Sequence, residues 1–403
     1  MNKTLKRLMA LSIAGVMSLG CLTACGKTAG TESDTDSASS GGAQTSGGEL
    51  VIGGIGPLTG GAATYGNAVK NAAELAVKEI NEAGGVNGMT LKLNFQDDEH
   101  NAQKSINAYN VLKDANMKIL MGTVTSAPCI AVAELTEEDN IFQITPSGSA
   151  VDSISGKNAF RICFNDPNQG KASAQYIADN KVASKVAVIY DSSDPYSSGI
   201  YDTFKAEAQL KNLEIVTEQA FTASNKTDFS VAIQKIKESG ADLVFLPIYY
   251  QEAALILQQA SSAGLDVKYF GCDGLDGLTT QLGADSALAN GVMLLTPFAA
   301  DAKDEKTQNF VKAYKAMYGE NEVPNQFAAD AYDAIYTIKA ALEKAEISDA
   351  SMSASDICDK LVAAMTQITV DGVTGEMTWD EAGEPTKAPK AMSILDGEYK
   401  AMD

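Results

Sequence analysis

Four serines, Ser126, Ser147, Ser149 and Ser197, stand just beyond apolar runs, where a hydroxyl can attack a substrate or simply donate a hydrogen bond. Attack needs a base, and the chain holds one histidine, His100. None of the four lies in a G-x-S-x-G turn. Hydrolysis is therefore not expected. The glycines at Gly53, Gly54 and Gly56 miss the G-x-G-x-x-G spacing, and Pro57 removes a backbone donor that a phosphate would use. No complete Walker-type loop occurs. Asp97, Asp98, Glu99 and His100 are consecutive, so their side chains diverge; they read as a polar turn with capping carboxylates rather than a metal centre. The six cysteines form no C-x-x-C pair, which excludes a zinc site or a dense disulfide framework and leaves any pairing open. No cofactor, no metal and no enzymatic activity are expected.

A different chemistry fits better. Thr123 to Pro128 follows a strand and opens a helix, so free backbone N–H groups and positive potential beside Thr125 and Ser126 suit a carboxylate. Ser147-Gly148-Ser149 follows the next strand, and Gly148 lets the backbone approach a ligand closely. Asp273 can balance an ammonium, or else cap the segment that begins at Leu275. Tyr65, Tyr196, Tyr249, Tyr250 and Phe327 can wall an apolar pocket, or pack as ordinary core. Together these residues predict reversible capture of a small zwitterion.

The elements that must position them alternate. Buried-strand runs at 50–56, 91–95, 118–122 and 141–144 are separated by helical spacing over 67–83 and 102–112. The rhythm restarts with strands at 185–191, 243–248, 267–271 and 292–296, and helices near 198–211, 228–238, 250–263, 304–318 and 327–344. Strands alternating with helices of this length predict parallel sheets covered on both faces. Two series predict an α/β protein of two doubly wound lobes. Ligands of such sheets sit beyond the carboxyl ends of the strands, where the candidate pocket residues other than Phe327 fall. Residues 370–384 read as a hairpin with glycine-marked turns.

Composition narrows the partners. A formal net charge of -21, from 31 basic and 52 acidic residues, argues against nucleic acid. Residues 1–24 begin with Lys3, Lys6 and Arg7, continue with an apolar run from Leu8 to Leu19, and read as an export signal. Leu22-Thr23-Ala24-Cys25-Gly26 resembles a bacterial lipobox, which implies cleavage before Cys25 and its lipidation. Residues 25–48, rich in Gly, Ser, Thr and Asp, read as a flexible tether.

The body from residue 49 onward resembles the substrate-binding proteins of branched-chain amino acid ABC transporters, the leucine/isoleucine/valine-binding family. The marks are I-G-P-L-T-G…Y-G (55–66), I-N-E-A-G-G-V-N-G (80–88), Asp97-Asp98, G-T-V-T-S (122–126), T-P-S-G-S (145–149), R-I-C-F-N-D-P-N-Q-G (161–170), Asp191…Tyr196…Gly199, I-Y-Y-Q-E (248–252), G-C-D-G (271–274) and G-E-M-T-W-D (375–380). The resemblance implies a type I periplasmic-binding fold with two lobes joined by three crossovers. It assigns 49–165 and 297–370 to an N-terminal lobe and 166–296 and 371–403 to a C-terminal lobe. It implies that Ser126 binds an α-carboxylate, that the Gly148 carbonyl and Ser149 hydroxyl meet an α-ammonium, and that Asp273 stands where the family has an ammonium-binding acid. A family member carries a longer Glu there, so the pocket's depth is expected to differ. Tyr65, Tyr196, Tyr249 and Phe327 match wall positions. Asp166 lies at the first crossover, and Arg161 just before it is expected in a structural ion pair. A disulfide that the same family member carries is expected to be absent here, because Thr125 and the neighbourhood of Asn101 stand where it has cysteines.

The implied function is capture of a neutral, branched-chain amino acid and its delivery to ABC permease subunits by a monomer held at the outer face of the cell membrane through its lipid anchor alone. The alternative is a ligand-sensing module of the same fold that binds a small amide or aromatic acid.

Overall fold

The computed structural model describes residues 47–402. The expected signal segment, Cys25 and nearly all of the tether lie outside the described residues.

The first lobe begins with β1 (Glu49–Gly56), α1 (Ala63–Glu82), β2 (Thr90–Asp97), α2 (Ala102–Asp114), β3 (Ile119–Gly122), α3 (Ser126–Glu138), β4 (Phe142–Thr145) and β5 (Ala159–Arg161). The second holds α4 (Asp166–Asp179), β6 (Lys185–Asp191), α5 (Pro195–Leu210), β7 (Glu214–Phe221), α6 (Ser230–Ser239), β8 (Leu243–Leu246), α7 (Tyr250–Ser262), β9 (Lys268–Gly271), α8 (Leu278–Leu282) and β10 (Met293–Thr296). The chain then returns through α9 (Glu305–Tyr318), α10 (Gln326–Lys344), α11 (Ala354–Met365), β11 (Val370–Gly372) and β12 (Gly375–Met377), and ends with β13 (Lys390–Leu395) and β14 (Glu398–Ala401).

Five parallel strands form one sheet in the order β2-β1-β3-β4-β5, and a seven-stranded sheet runs β14-β13-β10-β9-β8-β6-β7. The central strands β3, β4, β8 and β10 are buried along their whole length. That is why they read as unbroken apolar runs rather than alternating ones. In each sheet the chain steps to one side for its second strand and to the other for its third. This leaves a crevice at the carboxyl ends beside β1 and β3, and another beside β6 and β8. The two crevices face each other.

One assignment is corrected. The β11–β12 hairpin and the segment to Lys387 belong with the first lobe, not the second. The Val373 and Thr374 N–H groups donate to the Asp333 carboxylate on α10 at 2.8 and 2.9 Å. Trp379 Nε1 donates to the Arg161 carbonyl at 2.7 Å, and Lys387 pairs with Asp330 at 2.6 Å. The third crossover therefore falls between Lys387 and Lys390, where β13 adds to β10 antiparallel. Turn and strand signals locate a hairpin in the sequence but do not say which sheet it packs beside.

The helix α4 has weak apolar spacing, because its buried face holds Asp166, Gln169, Gly170, Ser173 and Ala174, with Ile177 its one large apolar residue. Small residues serve a close crossing there. A Cβ at Gly170 would stand 2.4 Å from the Ile200 carbonyl and 2.7 Å from the Phe204 nitrogen of α5.

Candidate functional site

Elements of both lobes that end at the interlobe cleft supply it with polar groups. In the first lobe β3 runs into Thr123–Thr125, and α3 starts at Ser126 with no side chain capping its N-terminus. By contrast α2, α4 and α5 are capped by Asn101, Asn165 and Asp194. An uncapped helix start leaves N–H groups for a ligand. Ser126 Oγ accepts the Ala150 N–H at 3.1 Å and so ties α3 to the loop after β4. In that loop Ser147 Oγ donates to the Val124 carbonyl at 2.6 Å.

The second lobe brings Tyr196 in the first turn of α5, Tyr249 just before α7, and Asp273 after β9. Tyr196 donates its hydroxyl to Asp273 Oδ1 at 2.6 Å and accepts the Gly274 N–H at 2.9 Å. Asp273 is only 4% exposed. Burial pushes its carboxyl up to about 6, against the hydrogen bond from Tyr196 that pulls it down. Among the described residues its charge has no ion-pair partner. Asp273 does not cap the segment at Leu275; its side chain turns to Tyr196.

Tyr65, Thr125, Ser126, Ser149, Tyr196, Tyr249, Asp273 and Phe327 line one cavity, together with Val124, Ser147 and Gly274. Gly148 is the exception among the expected residues. Its carbonyl accepts Arg161 Nη1 at 3.0 Å, and its α-carbon backs onto Cys129, so it shapes the loop from behind. The Thr125 hydroxyl, which lines the cavity, is held by His100 Nδ1 at 2.9 Å. Burial, with Lys226 nearby, lowers the His100 imidazole to about 4, so it is neutral. Tyr250 packs edge-on against Tyr65 and accepts the Thr64 N–H at 3.3 Å; it is not a wall residue.

The aromatic wall is shared between lobes. Tyr65 and Phe327 stand 4.1 Å apart between ring centroids, and Tyr196 stacks on Tyr249 at 4.8 Å. The cavity measures about 10 Å³, room for roughly one water. The lobes meet directly around it. Tyr65 donates to the Gly274 carbonyl at 2.6 Å, and Gln326 Nε2 donates to the Asp273 carbonyl at 3.0 Å. Tyr249 also borders a neighbouring polar cavity of about 290 Å³ that reaches Asp191, Lys226 and Glu252.

Arg161 makes the expected ion pair and much more. Its Nε lies 3.2 Å from Glu384 Oε2, and its two Nη groups donate to the carbonyls of Gly148, Ser149, Ala150 and Val151 at 2.6–3.2 Å. It is the buried scaffold of the Ser149 loop. Asp97 and Asp98 hold loop N–H and hydroxyl groups of Leu58, Thr59, His100 and Ser105, a polar turn as expected, but the helix cap expected of them is supplied by Asn101 instead. Among the described residues no group of three or more His, Cys, Asp or Glu is placed to hold a metal, and Cys129, Cys163, Cys272 and Cys358 are free, buried thiols. Sequence reasoning placed Asp166 at the crossover but gave it no role in the cleft. Its carboxylate is buried beside Ser149 with neither oxygen hydrogen-bonded among the described residues.

A family model described as periplasmic binding protein matches residues 49–397. The Leu/Ile/Val-binding protein homolog 3 of Brucella melitensis is 31% identical over 344 residues, covering 83% of this chain and 88% of that protein. The branched-chain amino acid transporter substrate binding protein LivJ of Streptococcus pneumoniae, solved in complex with isoleucine, superposes with a TM-score of 0.78 at 27% identity, covering 88% of this chain and all of that one. A solute binding protein of R. palustris, solved in complex with benzoate, shares the fold with a TM-score of 0.77 at 21% identity, covering 88% of this chain and 95% of that one.

Proposed function

The chain belongs to the periplasmic binding protein family, and from that premise we propose that it captures a branched-chain or related neutral amino acid between its lobes and hands it to an ABC permease. One observation carries the reading. A wall of donors, the uncapped start of α3 and the Ser126 hydroxyl, lines the same cavity as Ser149 and the undercompensated carboxylate of Asp273. An α-amino acid carries the matching pair of charges. The aromatic rings supply an apolar wall for its side chain. Ligand contacts on both lobes favour the closed form. Cys25 as a lipid anchor, residues 26–48 as a tether and a monomeric state complete the proposal for a protein at the outer face of the membrane.

The test is a thermal-shift series on the purified protein with L-leucine, L-isoleucine and L-valine. A ligand at 100 times Kd adds about 2.7 kcal/mol of stability, so at least one should raise the melting temperature by several degrees. No shift with any aliphatic amino acid overturns the reading.

Acidity should act in opposite directions on the empty and the loaded protein. Burial raises Asp98, Asp194, Asp273 and Asp330 to about 6 and Asp276 to about 7. Each raised group binds its proton more tightly in the folded than in the unfolded chain, so folding stability falls as pH rises through this range. The ligand-free protein should therefore melt higher at about pH 5.5 than at about pH 7.5. Leucine needs Asp273 ionised. Its affinity should fall below about pH 6, by up to about tenfold per pH unit for one linked proton. Calorimetric titration at both pH values checks this, and affinity that is flat or rises on acidification contradicts the role of Asp273.

A further inference from the structure

The larger cavity beside the amino-acid cavity has no part in the function proposed so far. It measures about 290 Å³, close to the lower end of the roughly 300–1,000 Å³ found for small-molecule sites. It lies beyond the carboxyl ends of β6, β7 and β8, the side of a parallel sheet where ligands bind. His100 borders it from the first lobe.

Its charge is one-sided. Asp191, Asp194 and Glu252 line it against a single ammonium, that of Lys226. Lys226 Nζ pairs with Glu252 Oε1 at 2.8 Å, which leaves the two aspartates. Each spends Oδ1 on its own loop. Asp191 accepts the Ser193 N–H and hydroxyl at 2.8 and 2.6 Å, and Asp194 accepts the Tyr196 and Ser197 N–H groups at 2.8 and 3.4 Å. Among the described residues neither Oδ2 accepts a hydrogen bond. Asp194 Oδ2 stands 4.0 Å from His100 Nε2, too far for one, and the neutral imidazole brings no charge. Burial pushes the Asp194 carboxyl up to about 6, with Asp191 and Glu252 adding to the rise against the Tyr196 and Ser197 N–H groups. No three of these groups are placed to hold a metal ion among the described residues, so the complement of this cavity is an organic cation.

The two cavities share a wall that can part. Tyr249 lines both, and its hydroxyl is buried without a hydrogen-bond partner among the described residues. Thr125 lines the smaller cavity and His100 the larger, and the 2.9 Å bond between them joins the two. The His100 and Tyr249 rings meet edge-on at 5.3 Å. Thr125 and His100 belong to the first lobe and Tyr249 to the second, so the wall opens when the lobes separate and closes on whatever crosses it.

We propose that the larger cavity is a second subsite, which receives the cationic end of a long, unbranched side chain while the smaller cavity holds the ligand's α-ammonium and α-carboxylate. The inference rests on the amino-acid reading above and widens the cargo from leucine-like to basic amino acids. The methylene stem crosses between Tyr249 and the Thr125–His100 pair, and the terminal N–H donors meet Asp191 and Asp194.

The test is calorimetric titration of the wild type and of the double variant Asp191→Asn, Asp194→Asn with L-leucine, L-arginine and L-citrulline. Citrulline has nearly the shape of arginine without its charge. Asparagine caps a helix as well as aspartate does, so α5 keeps its start. The wild type should bind L-arginine at least about tenfold more tightly than L-citrulline. The double variant should cut that ratio to about threefold or less. Residues that only shape their loops would shift both ligands alike and leave the ratio where it was. That outcome, equal wild-type affinity for L-arginine and L-citrulline, or L-leucine binding with no L-arginine binding overturns the second subsite while the amino-acid reading stands. A wild type that binds none of the three removes both. If the double variant does not fold, the wild-type ratio of L-arginine to L-citrulline decides alone.

Discussion

Asp273→Asn should abolish amino-acid capture and leave the chain folded. The carboxylate is buried and held by Tyr196, and among the described residues its charge has no ion-pair partner. Removing one partner of a buried ion pair costs about 3–5 kcal/mol, a loss of more than two orders of magnitude in leucine affinity. Asparagine keeps the volume and can still accept from Tyr196, so circular dichroism should be unchanged. The ligand-free variant should melt no lower than the wild type, because the substitution removes a buried charge that burial already disfavours. Asp273→Ala should lose binding equally. Unchanged affinity in either variant would refute the role given to Asp273.

The largest loss of stability is expected at Arg161. Its guanidinium gathers four consecutive loop carbonyls from inside the first lobe and faces Glu384 on the segment that leads to the third crossover. Arg161→Met fills the space but leaves those carbonyls without their donor and Glu384 without its counter-ion. The cost should be at least about 3–5 kcal/mol by urea unfolding. Arg161→Lys should recover little, since a single ammonium cannot reproduce a planar fork that bonds four acceptors. Glu384→Gln should cost far less, because Glu384 is partly exposed. A stable Arg161→Met with an intact leucine site would show that the Ser149 loop holds its shape without the guanidinium.

The parts of this site legible in the sequence share one property: they follow apolar runs. β3, β4, β8 and β9 are short strands that end in Ser, Thr, Gly or Pro punctuation, and in a parallel sheet the residues after such runs collect at one edge. Ser126, Ser149, Tyr249 and Asp273 could therefore be picked out before any coordinates. What stayed hidden depends on contacts distant in sequence. Gly148 looked available because its small size suits close approach, but the guanidinium thirteen residues later occupies its carbonyl. An Asp before Pro167 is an ordinary helix start, and nothing local reveals that Asp166 is buried with its oxygens unpaired. α4 escaped because small and polar residues, not large apolar ones, make most of its buried face.

The bonds that join the two lobes across the cleft have a kinetic meaning. A guest cannot enter until the Tyr65 hydroxyl leaves the Gly274 carbonyl and Gln326 leaves Asp273. Apparent affinity then equals intrinsic affinity scaled by the fraction of molecules standing open. A substitution such as Tyr65→Phe, which loosens the seal while keeping the ring in the cavity wall, should therefore speed ligand association, as stopped-flow fluorescence would show.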